Sequence, residues 1–310
     1  MNVLFVSTVD KAALWKQCLL AELPDINLFF HPDGPVANDQ VDYAIAWKPP
    51  AGVLAKYPNL KAILSLGAGI DGIVCDPNLP QNVPISRLVD RCLTQGMTEY
   101  IIYWVLHYHR RMGDYADMIA AREWENFTQA DTQQTTVGVL GLGELGGDAA
   151  RALSALHFNV LGWSRSPKMI DGVTCLHGSD GFDEIVARSQ TLICLLPLTA
   201  ETEGILNADV FARMPAGSVV INCARGGHVV DEELLASLEN GHLSRAVLDV
   251  FHHEPPDRTH PFWTHPKVTM TPHMASLTVP QSAARYMADN IRRVERGQPP
   301  LNVIDLNKGY

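Results

Sequence analysis

Four things are missing from this 310-residue sequence, and each absence excludes something. None of its six cysteines (Cys18, Cys75, Cys92, Cys175, Cys194, Cys223) forms a Cys-x-x-Cys pair. Scattered single thiols point to reduced core residues of a cytoplasmic protein, not to a disulfide framework or a thiolate metal site. Basic charge is in short supply: 24 Lys+Arg stand against 34 Asp+Glu, a formal net charge of −10. That balance excludes a generic nucleic-acid or acidic-membrane binder, and it obliges any anion site to bring its own cations. No apolar run reaches the roughly 18–20 residues that a bilayer-spanning helix needs. The opening Met1-Asn2-Val3-Leu4-Phe5-Val6 has no basic leader ahead of it and reads as a first strand, not a signal peptide.

What remains is an ordinary globular composition, 46% hydrophobic and 19% charged. At roughly 150 residues per domain the length predicts two domains. Short apolar runs alternate with helical patterns and carry no internal repeat, which predicts parallel sheets covered by helices. The strand-like runs are 3–7, 26–30, 41–47, 60–66 and 83–88, then 136–141, 159–163, 191–195, 218–222, 246–250 and 268–270. Between the two sets lies Thr98–Met112, TEYIIYWVLHYHRRM, apolar on nearly every side of a helix. Such a helix is buried all round, either between domains of one chain or, the preferred reading, in a homodimer interface.

The run Val137-Gly138-Val139-Leu140-Gly141-Leu142-Gly143-Glu144-Leu145-Gly146 is a strand entering a Gly-x-Gly-x-x-Gly turn, with a helical stretch behind it. In that context Gly141 serves the tight turn, Gly143 the approach of a pyrophosphate and Gly146 close helix packing, with Glu144 and Leu145 opening the helix. The following strand ends Ser164-Arg165-Ser166 where NAD-binding chains carry an acid. A guanidinium flanked by hydroxyls suits a 2′-phosphate, so the cofactor is predicted to be NADP(H); the alternative for Arg165 is a solvated loop residue.

Three further strands end in chemistry-bearing residues: Arg225, Glu254 and His273. Ligands of open α/β sheets bind at such carboxyl ends. Reducing a 2-oxo acid needs hydride at the carbonyl carbon and a proton at its oxygen. His273 can give that proton, Glu254 can orient and charge the imidazole, and Arg225 can grip the carboxylate and polarise the carbonyl. Taken singly, each has a plain structural alternative; the three together in one cofactor domain favour catalysis. His252-His253-Glu254 does not make a metal site, because adjacent side chains of an extended segment diverge, and His260 and His265 lack metal spacing.

VGVLGLGELGG, INCARGGHVVDEELLASLENGHL, RAVLDVFHHEPP and TPHMAS resemble the D-2-hydroxyacid dehydrogenase family over essentially the whole chain. GWSRS, WKPPAG, LGAGID and the closing LNVID…GY are most similar to its glyoxylate/hydroxypyruvate reductase A branch. The resemblance implies an Arg225–Glu254–His273 catalytic set and a cofactor site that also includes Leu196, Pro197, Cys223 and Asp249, the last holding the nicotinamide carboxamide. It implies that backbone amides of Leu66–Asp71, notably at Ala68 and Gly69, bind the substrate carboxylate. Trp47 would wall the substrate site, with a plain core aromatic as the alternative. It further implies an α/β protein of two doubly wound parallel-sheet domains with a cleft between them. The first would be a discontinuous, flavodoxin-like substrate domain of 1–95 and 284–310, and the second a Rossmann dinucleotide-binding domain of 96–283. The expected activity is NADPH-dependent reduction of glyoxylate and hydroxypyruvate to glycolate and D-glycerate. The alternatives are a reductase of a bulkier 2-oxo acid and a non-catalytic dinucleotide sensor on the same fold.

Overall fold

The computed structural model describes residues 1–34 and 37–306. Its chain folds as two units: Met1–Leu93 together with the chain from Leu277 onward, and Thr94–Ser276.

In the first unit, β1 (Asn2–Val6), β2 (Asn27–Phe30), β3 (Tyr43–Ala46), β4 (Ala62–Ser65) and β5 (Ile85–Ser86) form one parallel sheet in the order β2-β1-β3-β4-β5. The helices between them are α1 (Ala12–Glu22) and the short α2 (Asp71–Val74). Strands β3 and β4 are buried on both faces, which explains why they read as continuous apolar runs instead of alternating ones. One side of the sheet packs Phe5, Ile45 and Leu64 against Trp15 and Leu19 of α1.

The second unit begins within α3 (Arg91–His109) and continues with α4 (Met112–Ala120). Its strands are β6 (Thr136–Leu140), β7 (Asn159–Ser164), β8 (Thr174–His177), β9 (Thr191–Cys194), β10 (Ser218–Asn222), β11 (Leu243–Leu248) and β12 (Val268–Met270). They form a parallel sheet ordered β12-β11-β10-β9-β6-β7-β8. Its helices are α5 (Glu144–Ala155), α6 (Gly178–Arg188), α7 (Ala208–Arg213) and α8 (Asp231–Glu239). The order reverses at β6, between β9 and β7, which is where open sheets of this kind take ligands.

The return to the first unit is α9 (Pro280–Glu295), packed on α1. Ala283, Ala284, Met287, Ala288 and Ile291 are fully buried there in the core of the first unit. The division therefore falls at Ser276/Leu277, ahead of the Ala283/Ala284 boundary read from the sequence. Beyond α9, Ile304 N donates to Ile85 O at 2.9 Å, which ties the Leu301–Leu306 segment to β5. The Gly309-Tyr310 end of the LNVID…GY pattern lies outside the described residues.

The Thr98–Met112 helix is divided. α3 ends at His109, Arg111 takes a left-handed conformation (φ 55°), and α4 starts at Met112. Met97, Ile101 and Val105 bury one face in the second unit's core, whereas Tyr103 is 58% exposed. The helix is thus not buried all round within one copy of the chain.

Candidate active site

Strand order sets the site residues of the second unit in a row along one sheet edge. His273 follows β12, Asp249 and Glu254 follow β11, and Cys223 and Arg225 follow β10. Leu196 and Pro197 follow β9, the glycine turn follows β6, and Ser164-Arg165 ends β7. The row crosses five inter-strand steps, about 24 Å at about 4.8 Å per step.

At the turn, Gly141 holds φ at 101°, a conformation that L side chains rarely adopt. A Cβ at Gly146 would lie 1.8 Å from Gly141 O, so α5 can approach the strand only with glycine there. A Cβ at Gly143 would meet nothing within 4 Å. Gly143 is exposed and caps α5, so the space over the helix N-terminus is open to an anion. Gly141 N donates to Trp163 O at 2.8 Å, which sets the ends of β6 and β7 side by side. Two residues beyond Trp163, Arg165 is exposed, and Ser164 Oγ donates to Ser166 O at 2.7 Å to shape its turn. An open helix N-terminus and a guanidinium fit a phosphorylated dinucleotide; the residues that end β7 carry no carboxylate, and Glu201 is the carboxylate whose charge interacts with Arg165.

Cys194 is buried in β9 and Cys223 just past β10, whereas Cys75 and Cys92 are exposed, so the reading of all six cysteines as core thiols fails for those two. Burial pushes the Cys194 thiol up to about 12 and Cys223 well above its usual range, so both stay protonated. Pro197 O accepts Thr202 Oγ1 at 2.7 Å, fixing the wall past β9.

His273 sits in a left-handed turn (φ 50°) with its N–H donated to Asp249 O at 2.8 Å. Its Nδ1 lies 2.8 Å from Glu254 Oε2, the two side chains being 30 and 23% exposed. A carboxylate only accepts, so Nδ1 carries the hydrogen and Nε2 stays clear of the Glu254 bond. Glu254 is itself steadied by Phe251 N, 3.3 Å from Oε1. Arg225 is half-buried, and its Nη1 donates to Ala224 O at 2.6 Å. A Cβ at Gly226 would sit 2.0 Å from the Phe251 carbonyl carbon, so the Arg225 turn is pressed onto the segment that carries Glu254.

Asp249 is 1% exposed and densely bonded: Thr271 Oγ1 (2.6 Å) and Met274 N (2.8 Å) to Oδ1, and Ala275 N (2.9 Å) to Oδ2. Burial raises its carboxyl pKa, and these donors oppose that rise.

In the first unit, the Leu66–Asp71 loop leaves the end of β4. Leu66 O accepts Thr278 Oγ1 at 2.7 Å, and Gly67 O accepts Leu88 N at 3.0 Å. The half-buried Ala68 and Gly69 have amides with no protein acceptor among the described residues, as an anion-binding turn requires. Trp47 lies against this loop: a Cβ at Gly67 would be 2.3 Å from Trp47 Cζ3.

Three supporting residues escaped the sequence reading. His228 is fully buried, and its Nδ1 lies 3.2 Å from Arg225 N, steadying that turn. It stands three residues after the arginine within INCARGGHVV, a spacing that could have flagged it. Tyr100 and Thr271 contact Asp249's network from α3 and from beyond β12, and no local pattern marks them. No cluster of three or more metal-ligating side chains occurs among the described residues, and no helix there is long and apolar enough to cross a membrane.

The family described as D-isomer specific 2-hydroxyacid dehydrogenase, NAD binding domain, matches residues 102–275. Glyoxylate/hydroxypyruvate reductase A of Serratia proteamaculans is 42% identical over 315 residues, covering 100% of both chains; that of Photorhabdus laumondii is 40% identical with the same coverage. A solved D-isomer specific 2-hydroxyacid dehydrogenase from Xanthobacter autotrophicus, in complex with NADPH and MES, superposes with a TM-score of 0.95 at 39% identity, covering 100% of this chain and 99% of that one. An NADPH-dependent glyoxylate/hydroxypyruvate reductase from Sinorhizobium meliloti, in complex with NADP and sulfate, gives 0.93 at 35% identity, with coverage of 100 and 99%. The chain belongs to the D-isomer-specific 2-hydroxyacid dehydrogenase family.

Proposed function

We propose that this protein reduces glyoxylate and hydroxypyruvate to glycolate and D-glycerate with NADPH. The observation that carries the reading is the Glu254–His273 pair, set on the same sheet edge as an open Gly-x-Gly-x-x-Gly turn and Arg165. NADPH supplies the hydride when bound; the residues that would hold it are Gly141, Gly143, Glu144, Leu145 and Gly146 at the turn, Ser164, Arg165 and Ser166 at the 2′-phosphate, and Leu196, Pro197, Cys223 and Asp249 toward the nicotinamide. His273 donates a proton from Nε2 to the substrate carbonyl oxygen, while Glu254 holds the ring through Nδ1. Arg225 grips the carboxylate and draws charge toward the carbonyl oxygen. In the first unit, the Ala68 and Gly69 amides are assigned to an anionic carboxylate and Trp47 beside them to the wall of that loop.

The named activities of relatives at 42 and 40% identity support this choice of small 2-oxo acids. Loss of reduced-nicotinamide absorbance with glyoxylate, hydroxypyruvate, pyruvate and a branched 2-oxo acid, each with NADPH and NADH, tests it. Fast turnover of the first two with NADPH is expected; turnover confined to the branched acid overturns the substrate assignment.

We place the protein in the cytoplasm, as its reduced thiols suggest, and assign it a homodimer. Tyr103, Met112, Ile119 and Trp124 expose large apolar side chains on and just beyond α3 and α4, which supports burial by a second copy. Sedimentation equilibrium at twice the chain mass checks this.

A further inference from the structure

A polar chain runs from α3 to the turn that carries His273. Tyr100 Oη and Thr271 Oγ1 are 2.6 Å apart, and Thr271 Oγ1 is 2.6 Å from Asp249 Oδ1. A carboxylate accepts only, so Thr271 donates to Asp249, and its remaining lone pairs receive the Tyr100 hydroxyl. Both bonds therefore point one way. Burial pushes the Tyr100 phenol up, so it keeps its proton at any working pH. Downstream, Asp249 takes the amides of Met274 and Ala275 on its carboxylate and that of His273 on its carbonyl. His273 holds φ at 50°, a conformation that persists in a non-glycine residue only when its surroundings over-determine it.

We infer that Tyr100 and Thr271 are positioning residues for the reduction: their hydroxyl relay keeps the buried Asp249 ionised, and ionised Asp249 fixes the 271–275 turn that presents His273. The inference rests on the reading of His273 as proton donor. Three other groups surround the Asp249 carboxylate: Tyr100 from α3, Cys223 from the end of β10 and His273 from beyond β12. Burial keeps Tyr100 and Cys223 neutral, and a charged His273 favours the carboxylate. Loss of the relay can therefore move Asp249 in one direction only, toward the protonated form. A protonated Asp249 places a hydrogen where one of its three donors now bonds, and the turn loosens.

Tyr100→Phe keeps the ring and removes only the donor. Thr271→Val keeps the shape and removes the link; Thr271→Ser keeps the link. The direct measurement is a ¹³C NMR titration of the full-length protein labelled in its aspartate carboxyls, with Asp249 identified by its loss in Asp249→Asn. The Asp249 midpoint should rise by on the order of half a pH unit or more in Tyr100→Phe and Thr271→Val, and stay at the wild-type value in Thr271→Ser. With NADPH and hydroxypyruvate, the acid limb of kcat should move up with it. At neutral pH, kcat should fall about three- to tenfold while KM for NADPH changes less than about twofold. An unmoved midpoint in Tyr100→Phe overturns the relay, and so does a Thr271→Ser variant that behaves like Thr271→Val. A moved midpoint with an unmoved kcat limb overturns the link to His273. A wild-type protein that turns over no 2-oxo acid contradicts the proposed function instead, and the Asp249 midpoint still decides the relay.

Discussion

Glu254 Oε2 lies 2.8 Å from His273 Nδ1, so the imidazole is held through Nδ1 and Nε2 is free of that bond. The chain supplies this pair from two loops, beyond β11 and β12, which are neighbours in the sheet. Glu254→Gln preserves an acceptor for the Nδ1 hydrogen and removes the charge. It should lower kcat for hydroxypyruvate about 10- to 100-fold and leave the Kd for NADPH within about twofold. A kcat within twofold of wild type would remove Glu254 from the proton-donating unit.

Arg165 follows the end of β7, beside the open N-terminus of α5. Arg165→Ala should raise the Kd for NADPH about 10- to 100-fold, the worth of charge-assisted bonds to a phosphate, and leave NADH nearly unchanged. Isothermal titration with both cofactors reads this directly. Equal losses would separate Arg165 from the 2′-phosphate.

Gly67 and Trp47 are matched in shape, since any Cβ at 67 enters the indole. Gly67→Ala should cost about 1–3 kcal/mol in urea unfolding and raise KM for hydroxypyruvate, because Trp47 must tilt off the loop. Gly67→Ala with Trp47→Phe should recover part of both losses. Additive effects of the two changes would deny the contact a role.

Glu295 links α9 to the first sheet through Tyr43 Oη (2.6 Å) and Lys61 Nζ (2.8 Å). These bonds, Lys61's first, hold its carboxyl below the ordinary 4.5. Its stabilising contribution is therefore present above pH 4.5 and lost as pH falls through the lower folded value. The Lys61 and Glu295 side chains are 43 and 36% exposed, so the gain stays under about 1 kcal/mol. Glu295→Gln should lower Tm by about one to three degrees at pH 7 and by progressively less as pH falls below 4.5. A pH-independent loss would make the contact one of packing alone.

Most strands could be read from the sequence because parallel strands buried on both faces leave unbroken apolar runs, as in YAIA of β3 and SVVIN of β10. β8 was missed: its Thr174-Cys175-Leu176-His177 is an edge strand, exposed at both ends, with no such run. β11 begins at Leu243, not Ala246: Ser244 and Arg245 interrupt the apolar pattern, and the pairing with β10 continues past them through a register shift that leaves Ser244 unpaired. The break between α3 and α4 depends on Arg111 adopting a conformation that no pattern in HRRMGD announces. At the site, residues carried by strand ends and glycine turns could be read in order along the chain. Their supports could not, since Tyr100 and Thr271 stand 171 positions apart and meet only through the fold. The Trp47–Gly67 contact escaped for the same reason.

NADPH consumption with hydroxypyruvate as substrate, the product resolved by chiral chromatography, tests the proton-donor role of His273 most directly when wild type is compared with His273→Gln. The prediction is one D-glycerate per NADPH oxidised. In His273→Gln the rate should be lower by about 100- to 10,000-fold while NADPH binding is retained. Tight NADPH binding with no consumption in the wild type, or a His273→Gln rate within a few-fold of wild type, would contradict it.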